Sequence, residues 1–194
     1  MSREGVVRVV EQPIAAVAEL GRISIAFGVQ SRFEIREGRG GRDFTLAERP
    51  VDPRYIKDYD ATESGGPSQW RSRFDMSGWG LIVAARGDAW VGGAVVAARS
   101  PGTDMLEGLD DFALLWDIRA APSFRGQGIG SSLMNASIGW ARARGCAEVK
   151  VETQDINVPA CRFYASSGFQ LRAIDRTAYP GLDEVQMLWY RRIA

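Results

Sequence analysis

Arg125-Gly126-Gln127-Gly128-Ile129-Gly130 is the stretch of this chain whose spacing most plainly suits a chemical task. It follows an apolar run ending at Ala121 and opens a helical pattern that begins at Ile129. Glycines let the backbone approach a bulky anion closely. The N–H groups of a first helical turn have no partner inside the helix, and the helix dipole makes that end positive. Arg125 adds a fixed charge. The segment suits a phosphate or pyrophosphate, although the same glycines also suit a turn that holds no ligand. Two common phosphate motifs do not fit. A P-loop needs Lys before its Ser or Thr, and here Ser131-Ser132 has no Lys. A dinucleotide fingerprint needs a third glycine where Ser131 stands. What is left is Arg-x-x-Gly-x-Gly at Arg125, Gly128 and Gly130.

Composition narrows the chemistry further. The 194 residues contain no His, so the commonest general base and the commonest zinc ligand are both missing, and no metal site is expected. Lys plus Arg and Asp plus Glu are 24 each, a zero balance that argues against a nucleic-acid partner but not against a small cation. Cys146 and Cys161 belong to no CxxC pair and are too few for a disulfide framework, which fits a reducing cytoplasm. The first residues lack the apolar run of a signal peptide, and no stretch approaches 18 apolar residues, so no membrane association is expected. An apolar fraction of 45% suffices for a full core.

The elements that must position the turn follow from periodicity. Val6–Val10 reads as a strand and Ile14 to about Phe27 as a helix. Residues 38–42 read as a turn or mobile loop. Phe44–Val51 reads as a strand stopped by Pro53, and residues 52–70 as an irregular, acidic, substrate-facing loop with Asp52, Asp58, Asp60 and Glu63. Trp79–Arg86 and Trp90–Arg99 flank Gly87-Asp88 as a hairpin. Phe112–Ala121 is a third strand of this group. Ile129–Arg144 is a helix with Ile129, Leu133, Ala136, Trp140 and Ala141 at helical spacing, closed by Gly145. Glu148–Thr153 is a strand, Pro159–Ser166 a short helix before Gly168, and Phe169–Ile174 and Val185–Arg191 the last strands. These elements make one α/β domain with a mixed sheet and inserted helices.

The glycine turn, preceded by a strand and Ala-Pro, resembles the coenzyme A-binding motif of GCN5-related N-acetyltransferases. Asn157-Val158-Pro159-Ala160-Cys161-Arg162-Phe163-Tyr164, followed by Gly168-Phe169, resembles the second signature of that family. Two signatures in the right order are far more specific than either alone. Residues 152–161 and 183–190, with Ile56-Lys57-Asp58-Tyr59-Asp60 and Trp116-Asp117-Ile118, resemble streptothricin acetyltransferases in particular. The resemblance implies an acyl-CoA N-acyltransferase fold, α/β with a mixed, mostly antiparallel central sheet and flanking helices. It implies a single domain over 1–194, with 112–170 as its cofactor-binding core and 1–75 as its less defined N-terminal part. The expected co-substrate is acetyl-CoA and the expected acceptor a small primary amine, the β-lysine amine of a streptothricin-type antibiotic. Another amine, a protein amine, or a non-catalytic acyl-CoA sensor are the alternatives. The first 50 residues and 102–111 carry no recognised likeness.

Acetyl transfer needs a positioned thioester, a polarised carbonyl, a neutral amine and a proton for the leaving thiolate. The resemblance implies that Arg125, Gly126, Gln127, Gly128, Ile129, Gly130 and Ser131 hold the phosphates. It implies that the strand ending at Ala120 splays from its neighbour near 149–153, and that the backbone of Ile118, Arg119 and Ala120 pairs with pantetheine. Asn157, Ala160 and Phe163 line the same cofactor; Asn157 caps its helix or bonds the pantetheine, or both, and Phe163 packs. Tyr164, a phenol of ordinary pKa about 10, suits the proton donor, though by pattern alone it is a core residue of a short helix. Asp117 and Glu152 are the carboxylates that can take the amine proton or hold the cation; the usual fate of such residues is an ion pair. Asp58 and Asp60 add negative field. Aromatics near the C-terminus suggest a homodimer.

Overall fold

A computed structural model describes residues 5–39, 43–62 and 65–194. In chain order the elements are β1 (Val7–Gln12), a 3-10 helix (Ile14–Arg22), β2 (Phe27–Glu37), β3 (Phe44–Lys57), α1 (Pro67–Arg73), β4 (Trp79–Arg86) and β5 (Ala89–Ala98). A 3-10 turn (Asp104–Leu106), β6 (Phe112–Ala120), a second 3-10 turn (Pro122–Phe124), α2 (Ile129–Ala143), β7 (Glu148–Gln154), α3 (Val158–Ser166), β8 (Gln170–Asp175) and β9 (Gln186–Arg192) follow. The fold class is α/β, with a mixed, mostly antiparallel sheet of seven strands, flanking helices and a two-stranded ribbon. By internal contacts the chain sorts into two units, one of Met1–Ile25, Asp58–Val149 and Arg192–Ala194, the other of Ala26–Lys57 and Lys150–Arg191.

In the first unit β1, β4, β5 and β6 are neighbours in that order, each antiparallel to the next. The central strands read as apolar runs because both of their faces are covered: six consecutive residues of β4 from Trp79 to Ala84 are buried. Successive glycines of β5 show how closely the covering layers press. A Cβ at Gly92 would come within 2.8 Å of Ile129 Cγ2 on α2, and one at Gly93 within 2.5 Å of Leu20 Cδ1 on the 3-10 helix. Leu133, Met134, Ile138 and Trp140 form the buried stripe of α2. Each such side chain contributes roughly 1.5–3 kcal/mol on burial. Below the 3-10 helix, Trp70, Phe74, Trp79 and Trp116 form an aromatic cluster, with Phe74 and Trp116 centroids 4.8 Å apart and edge-to-face.

In the second unit β8 and β9 are antiparallel, with Leu171 opposite Trp189, and β2 and β3 form the ribbon. Ion pairs tie the ribbon down. Arg32 on β2 reaches Asp155 at 2.7 Å and Asp183 at 2.6 Å, and Lys57 at the end of β3 pairs with buried Glu184. Cys161 on α3 sits 3.8 Å from the Met187 sulfur, and burial pushes its thiol up to about 12.

Three expectations fail for local reasons. The helix expected over 14–27 is a 3-10 helix that stops at Arg22, with i−3 bonds such as Ile23 N to Leu20 O, and Phe27 already begins β2. Gly21 and the β-branched Ile23 and Ile25 oppose α-helix there. β3 does not stop at Pro53 but runs to Lys57. Register passes from Ser31↔Pro50 to Val29↔Tyr55, so Pro53 falls in a bulge where no ladder bond needs its missing N–H. The irregular 52–70 stretch contains the end of β3 and the start of α1, which has Pro67 in its first turn after Gly66. Gly40, Gly41, Arg42 and Glu63 lie outside the described residues. Among the described residues no helix is long and apolar enough to cross a membrane.

Candidate active site

β6 ends at Ala120, the Pro122–Phe124 turn reverses the chain, and α2 begins at Ile129. Between them Gly126 has φ +75 and Gly128 φ +82, both left-handed. Gly128 is the N-cap of α2, with no side chain bonded across it. A Cβ at either glycine would meet nothing within 4 Å, so no neighbouring atom explains their smallness. Their left-handed backbone conformation does. The bond from Ser132 N to Gly128 O is 3.0 Å, and the amides of Ile129, Gly130 and Ser131 precede it in the first turn. The Ile129 side chain turns inward and is buried. Gln127 donates to Ser123 O at 2.9 Å and closes the turn on itself. Arg125 donates from Nε to Ala120 O at 3.1 Å and from Nη2 to Ser24 O at 3.0 Å. Its guanidinium braces the turn while keeping a positive charge beside the amides.

On β6 the register moves from Val96↔Leu115 to Val95↔Asp117, so Trp116 is the extra residue of a bulge. Beyond it Ile118 faces one side, and Asp117 and Arg119 the other. Arg119 Nε donates to Asp117 Oδ1 at 2.8 Å and Nη2 to Asp117 Oδ2 at 2.6 Å, a two-pronged pair. Nη1 reaches Asp60 Oδ2 at 2.6 Å and Ile23 O at 3.0 Å. Burial alone would lower the Arg119 pKa, but hydrogen bonds to and charges of Asp117 and Asp60 outweigh it and hold it above its ordinary value. Asp117 is thus a buried, arginine-paired carboxylate with both oxygens engaged, not a free base. Asp60, read from charge as part of a negative field, is the second partner of Arg119. Asp58 Oδ1 accepts from Asp60 N at 3.0 Å.

In the second unit Asn157 Oδ1 accepts from Ala160 N at 3.2 Å, so the side chain caps α3. Tyr164 is buried on α3, its ring 5.6 Å from that of Phe163 and 5.9 Å from that of Phe169. Glu152 on β7 is half-buried. Its Oε1 accepts from Tyr179 O–H and, at 3.4 Å, from Gln154 Nε2; its Oε2 accepts from Gln186 Nε2 at 2.9 Å. Gln154 Nε2 also donates to Tyr179 Oη at 2.8 Å. Burial first, then the Glu152 charge and hydrogen bond, push the Tyr179 phenol above its ordinary pKa, so it stays a donor.

The sequence reading missed Tyr179, Gln154 and Gln186 as partners of Glu152. One signal was present: Glu152 and Gln154 are polar residues two apart on an otherwise buried strand, hence on one face. Among the described residues no group of His, Cys, Asp and Glu is arranged to hold a metal.

Residues 46–169 match the model of the acetyltransferase (GNAT) family, and the chain belongs to that family. It is 38% identical over 82 residues to streptothricin acetyltransferase A of Bacillus subtilis (strain 168), covering 41% of this chain and 47% of that protein. It is 28% identical over 141 residues to streptothricin acetyltransferase of Streptomyces lavendulae, covering 73% and 70%. The chain thus spans about half the length of the Bacillus subtilis relative. A nourseothricin acetyltransferase structure shares the fold with TM-score 0.74 at 24% identity, covering 98% of this chain and 100% of that one. A Bacillus anthracis str. Ames protein solved with acetyl coenzyme A does so with TM-score 0.77 at 22% identity, covering 96% and 99%.

Proposed function

We propose that this chain is an acetyl-CoA-dependent N-acetyltransferase for a primary amine of a small molecule, with a streptothricin-type antibiotic as acceptor. The observation that carries the reading is the turn at the start of α2. Its two left-handed glycines have no atom within 4 Å of where a Cβ would stand, which is the clearance a pyrophosphate needs to reach backbone amides. Family membership supports coenzyme A over other anions. The Bacillus subtilis and Streptomyces lavendulae relatives support the acceptor.

Bound acetyl-CoA supplies an activated thioester. The amides from Gly126 to Ser131 and the charge of Arg125 hold its phosphates, and the backbone of Ile118, Arg119 and Ala120 aligns its arm. Asn157 serves as helix cap, and Ala160 and Phe163 give α3 an apolar wall. Tyr164 holds a proton at its phenol oxygen for the leaving thiolate. Glu152 is the carboxylate in this scheme that meets the amine, because Asp117 is already committed to Arg119.

Thiol release from acetyl-CoA by the purified chain, measured over a panel of amines including streptothricin, tests the reading. Turnover on streptothricin is expected, with Tyr164→Phe slowing it about a hundredfold while leaving acetyl-CoA affinity nearly intact. Cofactor binding without turnover on any amine would make the chain a sensor. Good turnover on an unrelated amine and none on streptothricin would overturn the acceptor.

A further inference from the structure

The two faces of β1 are unlike. On one, Glu11 is engaged: Trp140 Nε1 donates to its Oε1 at 2.9 Å, and the Arg144 guanidinium lies 3.5 Å away. On the other, Arg8, Val10 and Gln12 stand opposite Ala85, Val83 and Leu81 of β4. Together with Ala85, Asp88 and Trp90 they line a cavity of about 310 Å³ within the first unit. That is the small end of ligand sites, which run from about 300 to 1,000 Å³. No residue of the glycine turn borders it.

The β4–β5 hairpin builds this cavity with a bulge. Ala84 is opposite Gly92, but Ala85 is opposite Trp90, so Val91 is an extra residue. Regular alternation would put Val91 on the Ala85 face, and the bulge puts the Trp90 indole there instead. Arg8, Ala85 and Trp90 then form one row across β1, β4 and β5. Two long side chains start about 10 Å apart, two strand spacings, with only a methyl between them. The row is a trough with Ala85 as floor, a guanidinium as one wall and an aromatic ring as the other. Among the described residues the Arg8 guanidinium, the Gln12 amide, the Trp90 N–H and the Asp88 carboxylate have no hydrogen-bond or ion-pair partner. The N–H groups of Trp79 and Trp140 are both bonded. Arg8 and Asp88 border the same cavity without pairing with each other, so each keeps its charge for a third group.

We propose that this trough is a binding site for an α-amino acid with an apolar side chain. Arg8 takes the carboxylate on its planar fork. Asp88 takes the ammonium. The ligand side chain lies over Ala85 and Val10 against the Trp90 ring, and burial of that apolar area drives binding. The site stands apart from the glycine turn and does not depend on acetyl transfer.

Calorimetric titration of the full chain with L-phenylalanine tests the site. Wild type is expected to bind it saturably, one molecule per chain. 3-Phenylpropionate lacks the ammonium and phenethylamine lacks the carboxylate, and each should bind about tenfold more weakly or worse. Ala85→Leu fills the floor without touching a charge and should abolish binding. Arg8→Gln should weaken it about tenfold. Both variants should keep wild-type affinity for acetyl-CoA. No saturable binding by wild type, or equal binding by wild type and Ala85→Leu, overturns the site. Either analogue binding as tightly as phenylalanine overturns the recognition of both charges. Loss of acetyl-CoA affinity in a folded variant overturns the separation from the glycine turn. If Ala85→Leu does not fold, an Arg8→Gln protein with wild-type affinity for phenylalanine overturns the proposal.

Discussion

Asp117 and Glu152 are carboxylates on strands, and from the sequence they were equivalent candidates for meeting an amine. Their surroundings differ in one respect. Asp117 is locked to the Arg119 guanidinium, which also takes Asp60 and the Ile23 carbonyl. Glu152 is held by a phenol and two amides. The first arrangement sets a guanidinium against a buried carboxylate and ties residues distant in sequence to β6. The second keeps charge in place and directs it. A carboxylate's partners, more than its position on a strand, decide whether it builds the fold or serves a ligand.

The contrast is sharpest in stability. Replacing Arg119 with Leu leaves two carboxylates without their cation, one of them buried, and is expected to cost about 3–5 kcal/mol in urea unfolding. Glu152→Gln is expected to cost about 1 kcal/mol or less, because no cation is stranded and Gln186 can turn its amide to match. Equal losses at the two sites would erase the distinction. Asp117→Asn should cost about 1–3 kcal/mol while changing turnover per folded molecule only a few-fold. A collapse in rate with stability intact would make Asp117 the base after all.

The glycine turn offers a reference outside both networks. Gly128→Ala meets no neighbour, so its cost is that of a left-handed non-glycine residue, about 1–2 kcal/mol by thermal unfolding. Acetyl-CoA affinity should fall alongside it, since alanine disfavours the left-handed conformation that starts the first turn of α2. The smallest effect expected is alkaline. The Tyr179 phenol is raised above the ordinary tyrosine value of about 10, by burial and then by Glu152. Its contribution is therefore whole below pH about 10 and lost as pH climbs through the higher folded value. Unfolding followed against pH should show wild type losing stability above that point, about 1 kcal/mol of which is missing in Tyr179→Phe. Arg119, also raised, should give no such loss in that range because it stays charged in both states.

Much of the site was legible because it is local. The turn at 125–130, the cap at Asn157, the hairpin at Gly87-Asp88 and the opposed faces of Ile118 and Asp117 all follow from residues within a few positions of one another. Errors arose where local signals conflict. Pro53 reads as a strand breaker unless a bulge excuses its missing N–H, and the 14–27 pattern is helical in period but carries Gly21 and Ile23 near its end.

By itself, the sequence determined the glycine turn, the helix that follows it and the family to which the chain belongs. Those depend on backbone conformation and short-range bonding, which residue type controls directly. Only the tertiary structure decided which carboxylate is spent. Asp60 reaches Arg119 from 59 residues away, and Tyr179 reaches Glu152 from 27. No periodicity encodes such partners. Their meeting is set by how strands register and loops return, so Asp117 and Glu152, alike in sequence, part company only once the chain is folded.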